Sequence, residues 1–277
     1  MAQGAATLKD AIGGRVRGLV GSTELDLSRP DGDPGLFGPG SATWAVHGDF
    51  TSMMIGGICS LLMQMLHPAA LAGVWDHSDF RRDMLGRLKR TAQFVTVTTY
   101  GSTAAAEALI ARVARIHRHV TGTLPDGTPY AADDPALLLW VHAAEVDSFL
   151  RAHLRYRDPA MPMARQDAYV AEMAQIATAL GAQDVPVTRA ALSAYLTAMR
   201  PALRVDARTR EVVRLLVRRP SPSLLNAPAN ALMMRAGVEL LPGWAARMHG
   251  LATPGPARPA IRLGALGVGG LMRWALH

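Results

Sequence analysis

From Phe50 to Trp75 the chain carries no Asp, Glu, Lys or Arg. A charge-free run of that length belongs either in a bilayer or at the centre of a packed core. Its interior argues for the core: it holds the pair Gly56–Gly57, then Gln64, His67 and Pro68, and Asp76 and Asp79 follow at once. A proline removes a backbone donor and clashes with the turn before it, so the spacing predicts a buried central helix over about residues 52–67, ending near Pro68. Peripheral contact with a membrane stays open.

The rest of the sequence extends the helical pattern. The chain has 277 residues, enough for one large domain, and is rich in Ala, Leu, Met and Arg with only 5% aromatics, which favours helix over strand. The Pro/Gly-rich stretch RPDGDPGLFGPG, residues 29–40, reads as an arm joining an N-terminal segment to the body. A helix is expected over about 79–98, and a third capped by Ser102 or Thr103 and stopped at Gly122. TGTLPDGTPYAADDP is a turn or short hairpin. Asp134 caps a helix with Pro135 in its first position, reaching about Arg155. Further helices are expected at 164–180, 188–199, 206–217 and 224–239. Strand-like alternation is confined to stretches such as VTVTTY, and the apolar piece Leu263–Leu276 reads as a small helix docked on the body or on a membrane. The expected organisation is a segment and arm over 1–40, a helical body over 41–250 and a tail over 251–277.

Charge and cysteine narrow the function classes. The net charge is +7, but the aromatic–basic interleaving of a nucleic-acid groove is missing, so the arginines read as a solvated face and no nucleic-acid partner is expected. The single cysteine, Cys59, excludes a disulfide within the chain and reads as a small buried hydrophobe rather than a thiolate ligand. MAQGAATLKDAIGGRVRGLVGSTELDLS lacks an uninterrupted apolar run after its first basic residue, which predicts a cytoplasmic protein, with membrane association open.

Histidines and arginines set on apolar helical segments carry the functional signal: His67 in LLMQMLHP, His77 in GVWDHSDF, Arg87 to Thr91 in RLKRT, His117 and His119 in RIHRHVTG, and His142 in LLLWVHAAE. An unpaired buried polar group costs roughly 1–3 kcal/mol, so several imidazoles on apolar helices suit a metal or haem site, with arginine available to an anion. His117 belongs to the Ile110–Val113–Ala114 face and points to the core, whereas His119 points to solvent. His142 is expected buried, with Glu145 one turn on to orient it. Arg87 and Thr91 share a helix face. His67 alone reads as a helix-end residue bonded to a carbonyl, and His77 as a turn residue.

Together, LHPAALAGVWDHS, DMLGRLKRT with Phe94, TYGS, HRHVTG, PYAADDPALLLWVHAAEVDSFL and ELLPGWAARMHG resemble the oxygenase family that groups rubber oxygenase (latex-clearing protein) with the ER-bound oxygenase of mycophenolic acid biosynthesis. The resemblance covers roughly residues 40–250. It implies an all-α, single helical domain of globin-like character around a buried cofactor cavity, haem b as the iron cofactor, and oxygenase or peroxygenase chemistry on an apolar small molecule with dioxygen or peroxide. By position it makes His117 the iron ligand, His142 an additional buried cofactor-binding histidine, and Arg87 and Thr91 a distal catalytic pair; His67 is expected as a further cofactor-binding histidine and Arg90 as a third catalytic residue. Rubber oxygenase carries lysine immediately before that threonine. Here the position is Arg90, which cannot give up its proton and so cannot be a base.

The chemistry is consistent with that resemblance. A neutral His117 would bind iron through one nitrogen and donate from the other. Met53, Met54, Leu61, Leu62 and Met65 would form an apolar wall, and the lack of Cys-x-x-Cys-His implies non-covalent haem. Two other readings remain at this stage: a non-haem metal enzyme using His67, His117, His142 and Glu145, and a non-catalytic helical protein that binds a lipid-like ligand. A homo-oligomer also remains open.

Overall fold

The computed structural model describes residues 27–218, 227–251 and 253–276; most of the N-terminal segment, and the start of the helix expected from 224, lie outside them. The described residues form an all-α domain of twelve helices and one two-stranded hairpin.

The charge-free segment folds as two helices, α2 (Phe50–Gln64) and α3 (Pro68–His77), which meet at 103°. Asp49 starts α2 by accepting from the Ser52 backbone N–H at 2.8 Å, and Pro68 opens α3. The expected helix is therefore shorter: Met65 ends α2, and His67 is the N-cap of α3. A proline is well placed in the first turn of a new helix and badly placed inside an old one. No single helix among the described residues is long and apolar enough to cross a membrane.

Helix α2 packs most closely on α6 (Pro135–Tyr156), which Asp134 caps through the Ala136 and Leu137 backbone N–H groups as the sequence predicts. Gly56 permits that approach: a Cβ there would stand 2.7 Å from the Phe149 ring. Trp140 of α6 is fully buried and donates through Nε1 to the Gln64 carbonyl at 3.2 Å, satisfying an acceptor left open where α2 ends.

Short helix α1 (Ala42–His47) precedes this pair, its first N–H groups held by the Glu172 carboxylate. Helices α4 (Met84–Tyr100) and α5 (Thr103–His117) pack on each other and lead to strands β1 (Thr121–Thr123) and β2 (Pro129–Ala131). VTVTTY is thus the last turns of α4, where tertiary packing overrides β propensity. Gly122 pairs with Tyr130 in the hairpin instead of stopping a helix, and α5 ends earlier, at His117. Tyr130 donates to Asp76 at 2.8 Å, fastening the hairpin to α3.

Helices α7 (Met163–Leu180), α8 (Arg189–Ala198), α9 (Ala207–Arg218), α10 (Ala227–Leu240) and α11 (Gly243–His249) follow. The apolar piece at 263–276 lies in a longer helix, α12 (Ala257–Leu276), docked on α2 and α10. Buried Glu239 of α10 takes Arg262 of α12 at 2.6 Å and Arg155 of α6 at 2.8 Å, and Arg273 reaches Asp49 at 2.8 Å.

Candidate functional site

Where α2 to α7 come together they form a cavity of about 360 Å³. That size suits a small molecule, for which sites of roughly 300–1,000 Å³ are usual. Leu61 and Met65 of α2, Val74 of α3, Leu88 and Val95 of α4, and Met173 and Ile176 of α7 make its walls apolar. Of the expected wall, Leu61 and Met65 take their places. Leu62 is buried in the core and Met54 is exposed, while Met53 packs on the core away from the lining.

Of the six residues expected to be catalytic or cofactor-binding, three line this cavity: Arg87 from α4, His117 from the last turn of α5, and His142 from α6. Nδ1 of His117 and Nε2 of His142 are buried and have no hydrogen-bond partner among the described residues. Burial lowers the pKa of both imidazoles, that of His142 to about 4, so both are neutral at ordinary pH with lone pairs available. The residue expected to orient His142 does not: Glu145 makes no hydrogen bond to it. Glu145 lines the cavity one turn further along α6, and burial pushes its carboxyl up to about 7. Arg87 has no carboxylate partner among the described residues. Burial, followed by the charge of Arg90, lowers its pKa, and the nearby Asp83 pairs with Arg90 at 3.5 Å instead.

Arg90, Thr91 and His67 are not brought to the cavity. Arg90 is exposed in that pair with Asp83. Thr91 lies in the same row of α4 as Arg87, but it is exposed and its hydroxyl turns back onto the Arg87 carbonyl at 3.2 Å. His67, held at the α2–α3 bend by Pro68, turns its ring toward Trp140 with centroids 6.2 Å apart. His119 is exposed beyond the end of α5, so its separation from His117 comes from the end of the helix rather than from rotation along it.

The sequence reading passed over His47. It is buried and lines the cavity, with Nδ1 bonded to the Thr99 hydroxyl at 2.8 Å and Nε2 to the Tyr169 hydroxyl at 3.1 Å. Burial, with the nearby His153 second, drives its pKa down to about 3. Both ring nitrogens are occupied, so His47 is a fixed part of the wall. His77 also lines the cavity and is held by the Thr121 carbonyl at 2.9 Å.

No three His, Cys, Asp or Glu side chains among the described residues converge on a point where a bare metal ion could sit. The non-haem ligand set is therefore not assembled among the described residues: His117, His142 and Glu145 line the cavity and His67 does not. Cys59 lies in the core, outside the cavity lining, and burial pushes its thiol up to about 12, which disfavours a thiolate ligand.

Residues 44–275 match the family model described as ER-bound oxygenase mpaB/B'/Rubber oxygenase, catalytic domain. Comparison with curated proteins gave no match, and neither did comparison with solved structures.

Proposed function

Because the chain belongs to the ER-bound oxygenase and rubber oxygenase catalytic-domain family, we propose that it is a haem b-dependent oxygenase or peroxygenase of an apolar organic substrate, with His117 as the iron ligand. The observation that carries this reading is the pairing of two neutral imidazoles, each with an unpartnered buried nitrogen, on the wall of one apolar cavity. A tetrapyrrole brings four nitrogen donors of its own and needs only one or two from the protein, so this donor set suits haem where it does not suit a bare ion.

Bound there, haem would supply the activation of dioxygen or peroxide that no side chain provides. The chain's own residues do the rest. His117 offers a ring nitrogen from the end of α5, and His142 a second from α6. The aliphatic walls exclude water and favour an apolar substrate. Arg87 supplies a positive charge with no carboxylate partner among the described residues, suited to a carboxylate of the cofactor or to developing negative charge on oxygen. Glu145 holds its proton near neutral pH and can donate it as a hydrogen bond. Arg90 and Thr91 face solvent and take no part in this arrangement.

The test is the absorbance spectrum of the purified protein and of His117→Ala. A Soret band in the wild type, lost or moved in His117→Ala and kept in His119→Ala, is the expected result. Stoichiometric iron or zinc without a Soret band would refute the haem reading, and an unchanged spectrum in His117→Ala would refute the ligand assignment.

A further inference from the structure

Helix α12 shows an apolar face to solvent. Five of the nine large hydrophobic residues exposed among the described residues belong to it, led by Leu263 at 69% and Trp274 at 46%. At 100° per residue, Leu263, Leu266, Leu271 and Trp274, with Gly267 and Gly270 between them, fall within an arc of about 140°. The opposite side, with Ala265, Gly269 and Ala275, is buried against the body. No charged side chain interrupts the exposed arc.

The charge beside this stripe has one sign. Helix α12 carries Arg258, Arg262 and Arg273 and no acid. Arg262 and Arg273 flank one edge of the arc, Arg273 paired with Asp49 at 2.8 Å and still part-exposed. Buried Glu239 is shared by two guanidinium groups, Arg155 and Arg262, so that cluster keeps a net positive charge, and both arginines remain part-exposed. Arg258, in the first turn and off the arc, is exposed with no ion pair among the described residues. The chain as a whole carries +7.

We infer that the outer face of α12 is a docking surface for an anionic lipid bilayer, with the leucines and Trp274 entering the headgroup–acyl boundary and the flanking arginines meeting the headgroups. An apolar face with a cationic border, on a helix that does not span, is the composition of an in-plane interfacial helix. Tryptophan favours that boundary because its ring is apolar and its N–H is polar. The inference rests on the exposed face and its charge, not on the reaction in the cavity.

The test is co-sedimentation of the full chain with vesicles of phosphatidylcholine alone and of phosphatidylcholine mixed with phosphatidylglycerol, together with light scattering. Leu263→Asp and Trp274→Asp alter solvent-facing positions, and an unchanged melting temperature checks that each variant folds. The wild type is expected to bind the mixed vesicles, more weakly at high salt, and each variant to lose roughly tenfold in partitioning. The inference is overturned if the wild type stays in solution, if it binds neutral vesicles equally well, or if the variants bind as the wild type does. A wild-type dimer that Leu263→Asp dissolves, without vesicle binding, would instead assign the face to a second copy of the chain.

Discussion

Glu145→Gln should stabilise the protein above neutral pH and leave it nearly unchanged in acid. Glu145 has no hydrogen bond or ion pair among the described residues, and burial alone raises its carboxyl from 4.5 to about 7. This is the reverse of an ion-paired carboxylate. The folded state holds the proton more tightly than the unfolded chain, so stability falls as pH rises between about 4.5 and 7, and the loss is complete above that window. At about 1.4 kcal/mol per pH unit, the gap corresponds to a ceiling of roughly 3 kcal/mol. Part of the carboxyl faces the cavity, where water can share the charge, so about 1–3 kcal/mol is the working range. Glutamine keeps the shape and cannot ionise; its own burial costs much the same at every pH. Urea unfolding of both proteins at pH 5 and pH 8 isolates the effect, with the variant's relative stability higher at pH 8 by that amount. An equal difference at both pH values would mean that Glu145 titrates as an ordinary solvated or paired carboxylate. Should the gain appear together with lost turnover, the buried proton has a function that offsets its cost to stability.

Two further substitutions probe the site and its frame. Arg87→Ala removes an uncompensated charge from the cavity wall and should reduce turnover by roughly 10²–10³ without unfolding the protein, whereas Thr91→Ala removes only a hydroxyl bonded to its own helix and should leave turnover nearly intact. Steady-state assays with matched cofactor content check this, and equal losses in the two variants would show that Thr91 acts inside the cavity. Gly56→Ala places a methyl 2.7 Å from the Phe149 ring between the two central helices and should cost about 1–3 kcal/mol, seen as a lower melting temperature. An unchanged melting temperature would mean that α2 and α6 separate freely.

What the sequence revealed, and what it hid, follows from the range of the interactions involved. The Asp134–Pro135 start of α6, the Ser102 cap of α5 and the hairpin around Gly127 are short-range chemistry, and the structure reproduces each. The bend at His67–Pro68 was also encoded locally, but a proline between two apolar stretches can end a helix or begin one, and here it does both. Arg87, His117 and His142 could be picked out because a polar side chain on an apolar stripe needs a reason to be there. His47 could not, since its reason is Tyr169, 122 residues away, and Thr99, 52 residues away. Thr91 marks the limit of helical-face reasoning: residues four apart share a side, yet whether that side meets a cavity or solvent depends on which helices cover it. Arg87 reaches the cavity from that row along a long side chain, while the short threonine beside it remains at the surface. Side-chain length thus decides which residue of a shared face enters the site, and helical spacing alone does not contain that information.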